Sequence, residues 1–550
     1  MTPLQRFKNL ILIDKQDIYQ IFLYSIIAGL ISLSLPLGIQ SIINFIQAGK
    51  VSTSWIVLVI IVVVGVAFVG LLKIMQFRIT ENLQQKIFVR SSFEFAFRFP
   101  KIKFNELHNQ YPPELANRFF DTLTVQKGVS KLLLDSSTAV LQILFGILLL
   151  SLYHSFFIFF GIVLLLLLYL IFKINFNLGL ETSLKESKYK YKIAHWLQEI
   201  ARNHLSFKSS SIFNFSMHKN DKLVTEYLTQ RENHFSVLRK QFIQLTGFKI
   251  LIIAGLLIIG GLLVINQQMN IGQFVAAEII ILSIIAAVEK LFSGLELLYD
   301  VLTSLEKIGS VVDLELEETT QNSNYLVDKN NIILEIENVS FSYPKSDKEI
   351  LTNINIAIQP KQHTLIVGEN GSGKTTLIRL LARLVEPTSG TIFINNTNYK
   401  KYSLDEYRSK IGIITASEIS FEGTILENIT CNNPKIKMEM VFELIDKLKL
   451  TEAIKALPQG LDTQISSEGK QINSSTIQKI VLARCIINQP KLLFLENPLD
   501  KSDEESCREI LDFLSEEKHP WTLIVVSKNN YWKQICTQVI HLEKGEIKSI

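Results

Sequence analysis

Charge and cysteine are both scarce in this chain. Charged residues make up 20% of it against 48% apolar ones, and the net charge is only +4. A soluble enzyme of this size carries more charge, a disordered chain carries far fewer apolar residues, and a nucleic-acid binder shows a strongly basic face, so no nucleic-acid partner is expected. The four cysteines (Cys431, Cys485, Cys507, Cys536) include no CxxC pair. They exclude a disulfide scaffold, fit a reduced cytoplasm and are expected to be small core fillers. The N-terminal MTPLQRFKNLILIDKQD lacks an apolar run followed by a small-residue cleavage site, so no signal peptide is expected. Its mixture of apolar and basic residues suits a helix lying in a membrane interface. A chain of 550 residues is too long for one core. The apolar excess sits in runs before about residue 295, and the remainder has ordinary soluble composition.

Six stretches are apolar enough to cross a bilayer, which takes roughly 20 residues per helix. They lie near Ile18–Phe45, Trp55–Met75, Ser137–Leu152, Phe156–Phe172, Phe248–Ile265 and Ile271–Leu291. Pro36 is expected to kink the first. Between the second and third spans, residues 76–131 hold nine Lys/Arg, whereas IQAGKVST holds one and NQQMN none. Positive charge stays inside, which places both termini, the long loops and the soluble part in the cytoplasm. The long loops, 76–131 and 173–247, have helical periodicity and few breakers, so they are expected as helical hairpins extending the spans into the cytoplasm. Their turns are KFNELHNQYPPELANRFFD, broken at Pro112-Pro113, and the Ser-rich SFKSSSIFNFSMHK. Glu278 is the sharpest charge within a span. It either lines a substrate path or, at about 10 Å from the helix start, reaches the interface.

The expected organisation is an interfacial helix at 1–17, a six-span membrane domain at 18–314, a polar linker at 315–330 and a nucleotide-binding domain at 331–550. In the last segment, the strand-like runs ILEIENVSF, HTLIVG, IGIIT, KLLFLE and TLIVVS alternate with helical ones. That pattern predicts an α/β domain with its ligand at the strand C-termini. HTLIVG leads into Gly368-Glu369-Asn370-Gly371-Ser372-Gly373-Lys374-Thr375-Thr376 and then the helical LIRLLARL. This is a P-loop in strand–loop–helix context. The glycines let backbone N–H groups turn towards phosphate oxygens, Lys374 brings charge to the β/γ-phosphates and the Thr375 hydroxyl suits Mg²⁺. ATP and Mg²⁺ are the expected cofactors.

Six spans with helical cytoplasmic extensions and one C-terminal P-loop domain resemble an ABC exporter half-transporter. The spans are most similar to the peptide and protein secretion branch, which includes bacteriocin exporters and type I secretion ATPases, here without the N-terminal peptidase domain. The resemblance makes Tyr343, in FSYP, the aromatic that stacks on adenine, and the two cytoplasmic turns its coupling helices. FEGTILENI, ALPQGLDTQISSEG and IVLARCIINQPKLLFLENPLDKSD follow the family's order through the Walker B strand to the D-loop, where Asp503 matches.

The departures are concentrated in one set of positions. Ala416 stands where the family has a Gln. The signature aligns with Ile472-Asn473-Ser474-Ser475-Thr476, with serines in place of glycines that approach the opposite subunit's γ-phosphate. Glu496 takes the place of the Walker B Asp, Asn497 that of the catalytic Glu and Ser527 that of the switch His. An amide cannot take the proton of attacking water, and losing a general base costs about 10²–10⁴ in rate. Glu468 and Asp500 are neighbouring acids outside the family's position and are read as surface residues. The resemblance therefore implies a dimer, homo- or heterodimeric, that binds ATP and hydrolyses it weakly. It further implies a bacterial inner-membrane location, with a periplasmic adaptor and an outer-membrane channel as partners. The reading from a different class is a nucleotide-sensing membrane scaffold that transports nothing.

Overall fold

The computed structural model of the chain describes residues 1–47, 53–108, 110–208, 210–317, 331–344, 346, 348–416, 418–466, 469 and 471–549. They form two compact units: Met1–Lys101 with Gln110–Leu314, and Ile102–Asn109 with Glu315–Ile550. The short segment 102–109 groups with the second unit although it is the covalent connection between two long helices of the first.

The first unit is helical throughout. Its helices are α1 (Pro3–Ile13), α2 (Lys15–Ser32), α3 (Ser34–Gln47), α4 (Thr53–Arg98), α6 (Pro112–Asn117), α7 (Asp121–Ser151), α8 (Phe156–Arg202), α9 (Ser210–Gly255), α10 (Gly261–Ile265) and α11 (Ile271–Val312), and the short α5 (Phe104–Leu107) lies in the connecting segment that groups with the second unit. Among the described residues, six helical stretches, with α2–α3 counted as one, are long and apolar enough to cross a membrane. At 47 residues, α8 is about 70 Å long, more than twice the roughly 30 Å hydrocarbon core, so the surplus extends beyond the bilayer. The expected kink in the first span falls between α2 and α3. The ring of Pro36 removes one N–H and crowds the carbonyl four residues back, and α2 ends there, at Ser32.

Inside the bundle, α7 and α11 pack closely. A Cβ on Gly146 would lie 2.9 Å from Ile284, and one on Gly128 would lie 2.3 Å from Val301. Some of the buried polar groups pair with one another, as an apolar setting favours, whereas the Thr122 hydroxyl has no partner. Ser25 and Ser137 meet at 2.9 Å, and Gln76 donates to Ser25 at 2.7 Å. Thr2 caps α1 in a reciprocal box with Gln5, and Arg6 ties α1 to Asp313 at 2.6 Å, at the C-terminus of α11. Pro112 and Pro113 start α6 as well as ending the helix before it, because the missing N–H is harmless in a first turn. The Ser-rich turn is shorter than expected: α9 already begins at Ser210, so the following IFNFSMHK is helical. Most of the polar linker, residues 318–330, lies outside the described residues.

The described residues of the second unit form three sheets. β1 (Leu334–Ser342), β2 (Glu349–Ile358), β4 (Ser389–Ile394) and β5 (Thr397–Asn398) form an antiparallel sheet in the order β2-β1-β4-β5. β3 (Thr364–Val367), β6 (Ile411–Ile414), β9 (Leu492–Glu496), β10 (Thr522–Val526), β11 (Gln538–Glu543) and β12 (Glu546–Ser549) form the other large sheet, in the order β12-β11-β3-β10-β9-β6. All its pairings are parallel except β11–β12. β7 (Gly423–Thr424) and β8 (Gln464–Ile465) make a two-stranded ribbon. Every residue of β9 and β10 is buried, the signature of a parallel sheet covered on both faces. The core-filler expectation holds for Cys507 and Cys536 but not for Cys431, which is exposed, with Cys485 between the two classes. Cys431 ends the helix Ile425–Thr430 in a left-handed conformation, a terminal position that faces solvent.

Candidate nucleotide-binding site

β3, β9 and β10 lie side by side and end on the same edge, so their C-terminal loops converge. β3 runs into the P-loop, β9 ends at Glu496-Asn497 and β10 runs into Ser527-Lys528. A cleft of about 510 Å³ opens there, lined among others by Gly371, Lys374, Thr375, Glu496, Asn497 and Ser527. Gly371 and Gly373 hold φ of +84° and +101°, values that L side chains rarely adopt. Gly368 is constrained by contact: a Cβ there would lie 2.1 Å from the Leu542 carbonyl oxygen. The helix Lys374–Leu381 starts at this loop and points its N-terminal amides into the cleft, a ready site for phosphate.

The Lys374 ammonium donates to the Gly368 and Glu369 carbonyls at 2.8 and 2.6 Å, which holds it over the loop. Burial pushes its pKa down, the neighbouring Lys528 pushes it further, and Glu496 opposes them. Two cations converging at one loop favour a multiply charged anion. The Thr375 hydroxyl donates to Glu496 Oε1, and the Ala416 N–H donates to Glu496 Oε2 at 3.1 Å. The extra methylene of Glu496 thus reaches both the P-loop and the segment after β6. A hydroxyl beside a carboxylate is a hard-oxygen donor pair that fits Mg²⁺.

Asn497 and Ser527 line the same cleft. Asn497 sits at φ +49°, and its N–H donates to the Val526 carbonyl at 2.9 Å. The Ser527 hydroxyl accepts the Asn529 N–H at 3.2 Å, so it stabilises its own turn. Among the described residues lining the cleft, Glu496 is the one carboxylate, and Lys528 and Lys533 join Lys374 as cations. Those two lysines were not anticipated from sequence. The available signal was two lysines within seven residues of the end of β10.

The remaining sequence-derived positions lie elsewhere. Tyr343 follows β1; its hydroxyl meets Thr376 Oγ1 at 3.2 Å and accepts from Arg379 at 3.0 Å. Asn473 caps the helix Ser474–Ile486, its side-chain oxygen accepting the Ser475 N–H at 3.0 Å. Ser475 and Ser502 share a hydrogen bond of 2.9 Å that joins the start of the helix Ser474–Ile486 to the segment before the helix Glu504–Ser515. Ser474 is exposed and Thr476 buried. Asp503 caps the helix Glu504–Ser515 through the Ser506 N–H at 2.8 Å. Asp500 is exposed, as expected of a surface acid; partial desolvation of its carboxyl raises its pKa, with Lys528 opposing the rise. Glu468 lies outside the described residues. Glu278 is half-buried in α11.

Residues 351–500 match the sequence family described as ABC transporter. Those residues, within the second unit, are similar to an ABC transporter domain. Among related proteins, the Bacillus subtilis (strain 168) ABC transporter ATP-binding protein YfiB is 30% identical over 242 residues, 44% of this chain and 42% of that one. The Arabidopsis thaliana ABC transporter B family member 21 is 30% identical over 215 residues, 39% of this chain and 17% of that one. The chain thus spans less than half the length of these relatives. Its whole fold is similar to that of a bacterial Atm1-family ABC exporter with ATP bound. The TM-score is 0.85 at 17% identity, covering 97% of this chain and 94% of that one. The ABC transporter match therefore follows a helical domain with six candidate spans, and the two together have the fold of that exporter.

Proposed function

We propose that the chain is an ATP-binding half-transporter of the exporter class that works as a dimer and hydrolyses ATP weakly, if at all, at its own site. The observation that carries this is the chemistry of the cleft. Its phosphate-binding parts are assembled, while its one described carboxylate, Glu496, already serves the Thr375 hydroxyl and the Ala416 N–H. Asn497 offers an amide where a base is needed, and an amide accepts no proton at neutral pH.

In this reading the P-loop amides and Lys374 bind and orient the triphosphate, and Tyr343 offers a face to the base. Thr375 and Glu496 are the oxygens that would hold Mg²⁺, which supplies neutralising charge at the β- and γ-phosphates. Lys528 adds a positive charge on the side from which the switch His is missing. Each site of such a dimer is completed by the partner's signature segment, here Ile472–Thr476 with Asp503 nearby. The cargo is a peptide, protein or other amphipathic solute. Glu278, an acid within a span, marks its path, and a bacterial inner membrane with a periplasmic adaptor and outer-membrane channel is the matching setting. Ala416 and Ser527 favour a second reading, a membrane scaffold that senses nucleotide without transport, because both lack the side chains that report the γ-phosphate.

The test is Mg·ATP binding and turnover of the purified chain in nanodiscs, with Lys374→Ala as background. Binding without turnover above that background is the expected result. Turnover on the order of 1 s⁻¹ or faster, ordinary for an enzyme, would overturn the weak-hydrolysis reading. Substrate accumulation in vesicles that depends on Lys374 separates exporter from scaffold.

A further inference from the structure

The segment 102–108 is fastened to the ATP-binding unit by a graded set of contacts. Ile102 pairs with Leu316 in a backbone bridge, and the Lys103 N–H donates to the Glu315 carbonyl at 2.9 Å. The guanidinium of Arg379, on the helix that follows the P-loop, sits 4.8 Å from the Phe104 ring centroid. At the end of the segment, the His108 imidazole lies flat on the Tyr343 ring, with centroids 4.1 Å apart and planes 5° from parallel. Tyr343 is not free to turn away. Its hydroxyl is held between Thr376 and Arg379, and Phe341 packs against it at 4.9 Å and 86°.

An aromatic face accommodates one stacked ring at van der Waals distance. Tyr343 is the aromatic proposed above for the nucleobase, and Thr376, bonded to its hydroxyl, lines the phosphate cleft. Phosphate and base are therefore read by adjoining residues, yet the base platform already carries an imidazole from elsewhere in the chain. We propose that His108 competes with the nucleobase for Tyr343, so that a complete nucleotide displaces residues 102–108 while a bare phosphate chain does not. The inference rests on the nucleotide-binding reading of the cleft. It makes His108 a determinant of how strongly the site distinguishes a nucleoside triphosphate from inorganic polyphosphate. It also makes the connection between α4 and α6 respond to the base and not to the phosphates.

The experiment measures affinities of the full-length chain for a non-hydrolysable ATP analogue and for inorganic tripolyphosphate, both with Mg²⁺. Removing the competing ring by His108→Ala is expected to tighten the ATP analogue about three- to tenfold, the range of one aromatic stack, and to leave tripolyphosphate unchanged. His108→Phe keeps a flat ring and is expected to remain within about twofold of the parent for both ligands. In a Tyr343→Ala background, His108→Ala is expected to change neither affinity, because the shared platform is gone. Unchanged or weaker ATP binding in His108→Ala, with tripolyphosphate binding preserved, would overturn the competition and place the base on the opposite face of Tyr343. Failure of the parent chain to bind either ligand would overturn the nucleotide reading itself, an outcome distinct from the first.

Discussion

Asn497 carries the sharpest consequence of any single residue. It occupies the end of β9 with φ +49°, a conformation that asparagine tolerates better than most residues, and its side chain lines the nucleotide cleft. Asn497→Glu is expected to raise Mg·ATP turnover at least about tenfold over the parent chain, a lower bound on what a positioned base contributes. An unchanged rate in a phosphate-release assay would assign the block to the Ser474-Ser475 signature instead. Asp503 makes a separate prediction through its cap. The Ser506 hydroxyl and N–H hold its carboxyl below the usual carboxylate range. Because the folded pKa is depressed, the stabilisation is present above the unfolded value of 3.8 and is lost as pH falls through the folded value. Asp503→Ala is therefore expected to cost about 1 kcal/mol at neutral pH, as for other N-caps, and progressively less in acid. Thermal unfolding of both proteins across pH checks the sign.

At the scale of helices, close approach decides stability. α8 passes α11 at Gly179, where a Cβ would lie 2.3 Å from Tyr299. Tyr299 is fully buried, and its hydroxyl donates to the Asn175 carbonyl at 3.3 Å and accepts from Gln241 at 3.1 Å, so the ring has no room to retreat. Gly179→Ala is expected to destabilise the helical unit by about 1–3 kcal/mol, the usual cost of overpacking. Gly70→Ala, on α4 with nothing within 4 Å of the added methyl, is expected to be neutral or slightly stabilising. The paired shifts in detergent-solubilised Tm distinguish packing from a general effect of glycine replacement. The same scale shows what a period can and cannot reveal. The alternation of apolar runs located the spans, and Pro36 located the break between α2 and α3, because both act through neighbours within one or two turns. The start of α9 inside a Ser-rich stretch was not legible, since packing around Trp196, whose ring N–H donates to the Ser216 carbonyl at 3.3 Å, overrides weak helix propensity.

For the molecule as a whole, the charge asymmetry of its loops makes an accessible prediction. Gln268, exposed between α10 and α11, belongs to a loop without Lys or Arg, whereas the exposed native Cys431 belongs to the soluble unit. Gln268→Cys in a Cys431→Ala background is expected to react with a membrane-impermeant maleimide in intact cells. The parent chain's Cys431 is expected to react only after lysis. The reverse pattern would invert the topology. Spans and P-loop were legible in the sequence because each is written in residues close together in the chain: apolar runs and one glycine-rich turn between strand and helix. The partners those residues take were not. Glu496 bonds a threonine 121 positions earlier and the N–H of Ala416. Lys528 enters the cleft only because β10 lies between β3 and β9. His108 reaches Tyr343 across more than two hundred residues. Local order fixed which chemistry the chain possesses. Sheet order and long-range packing decided which groups face one another, because distance in space is set by the whole fold and not by spacing along the chain.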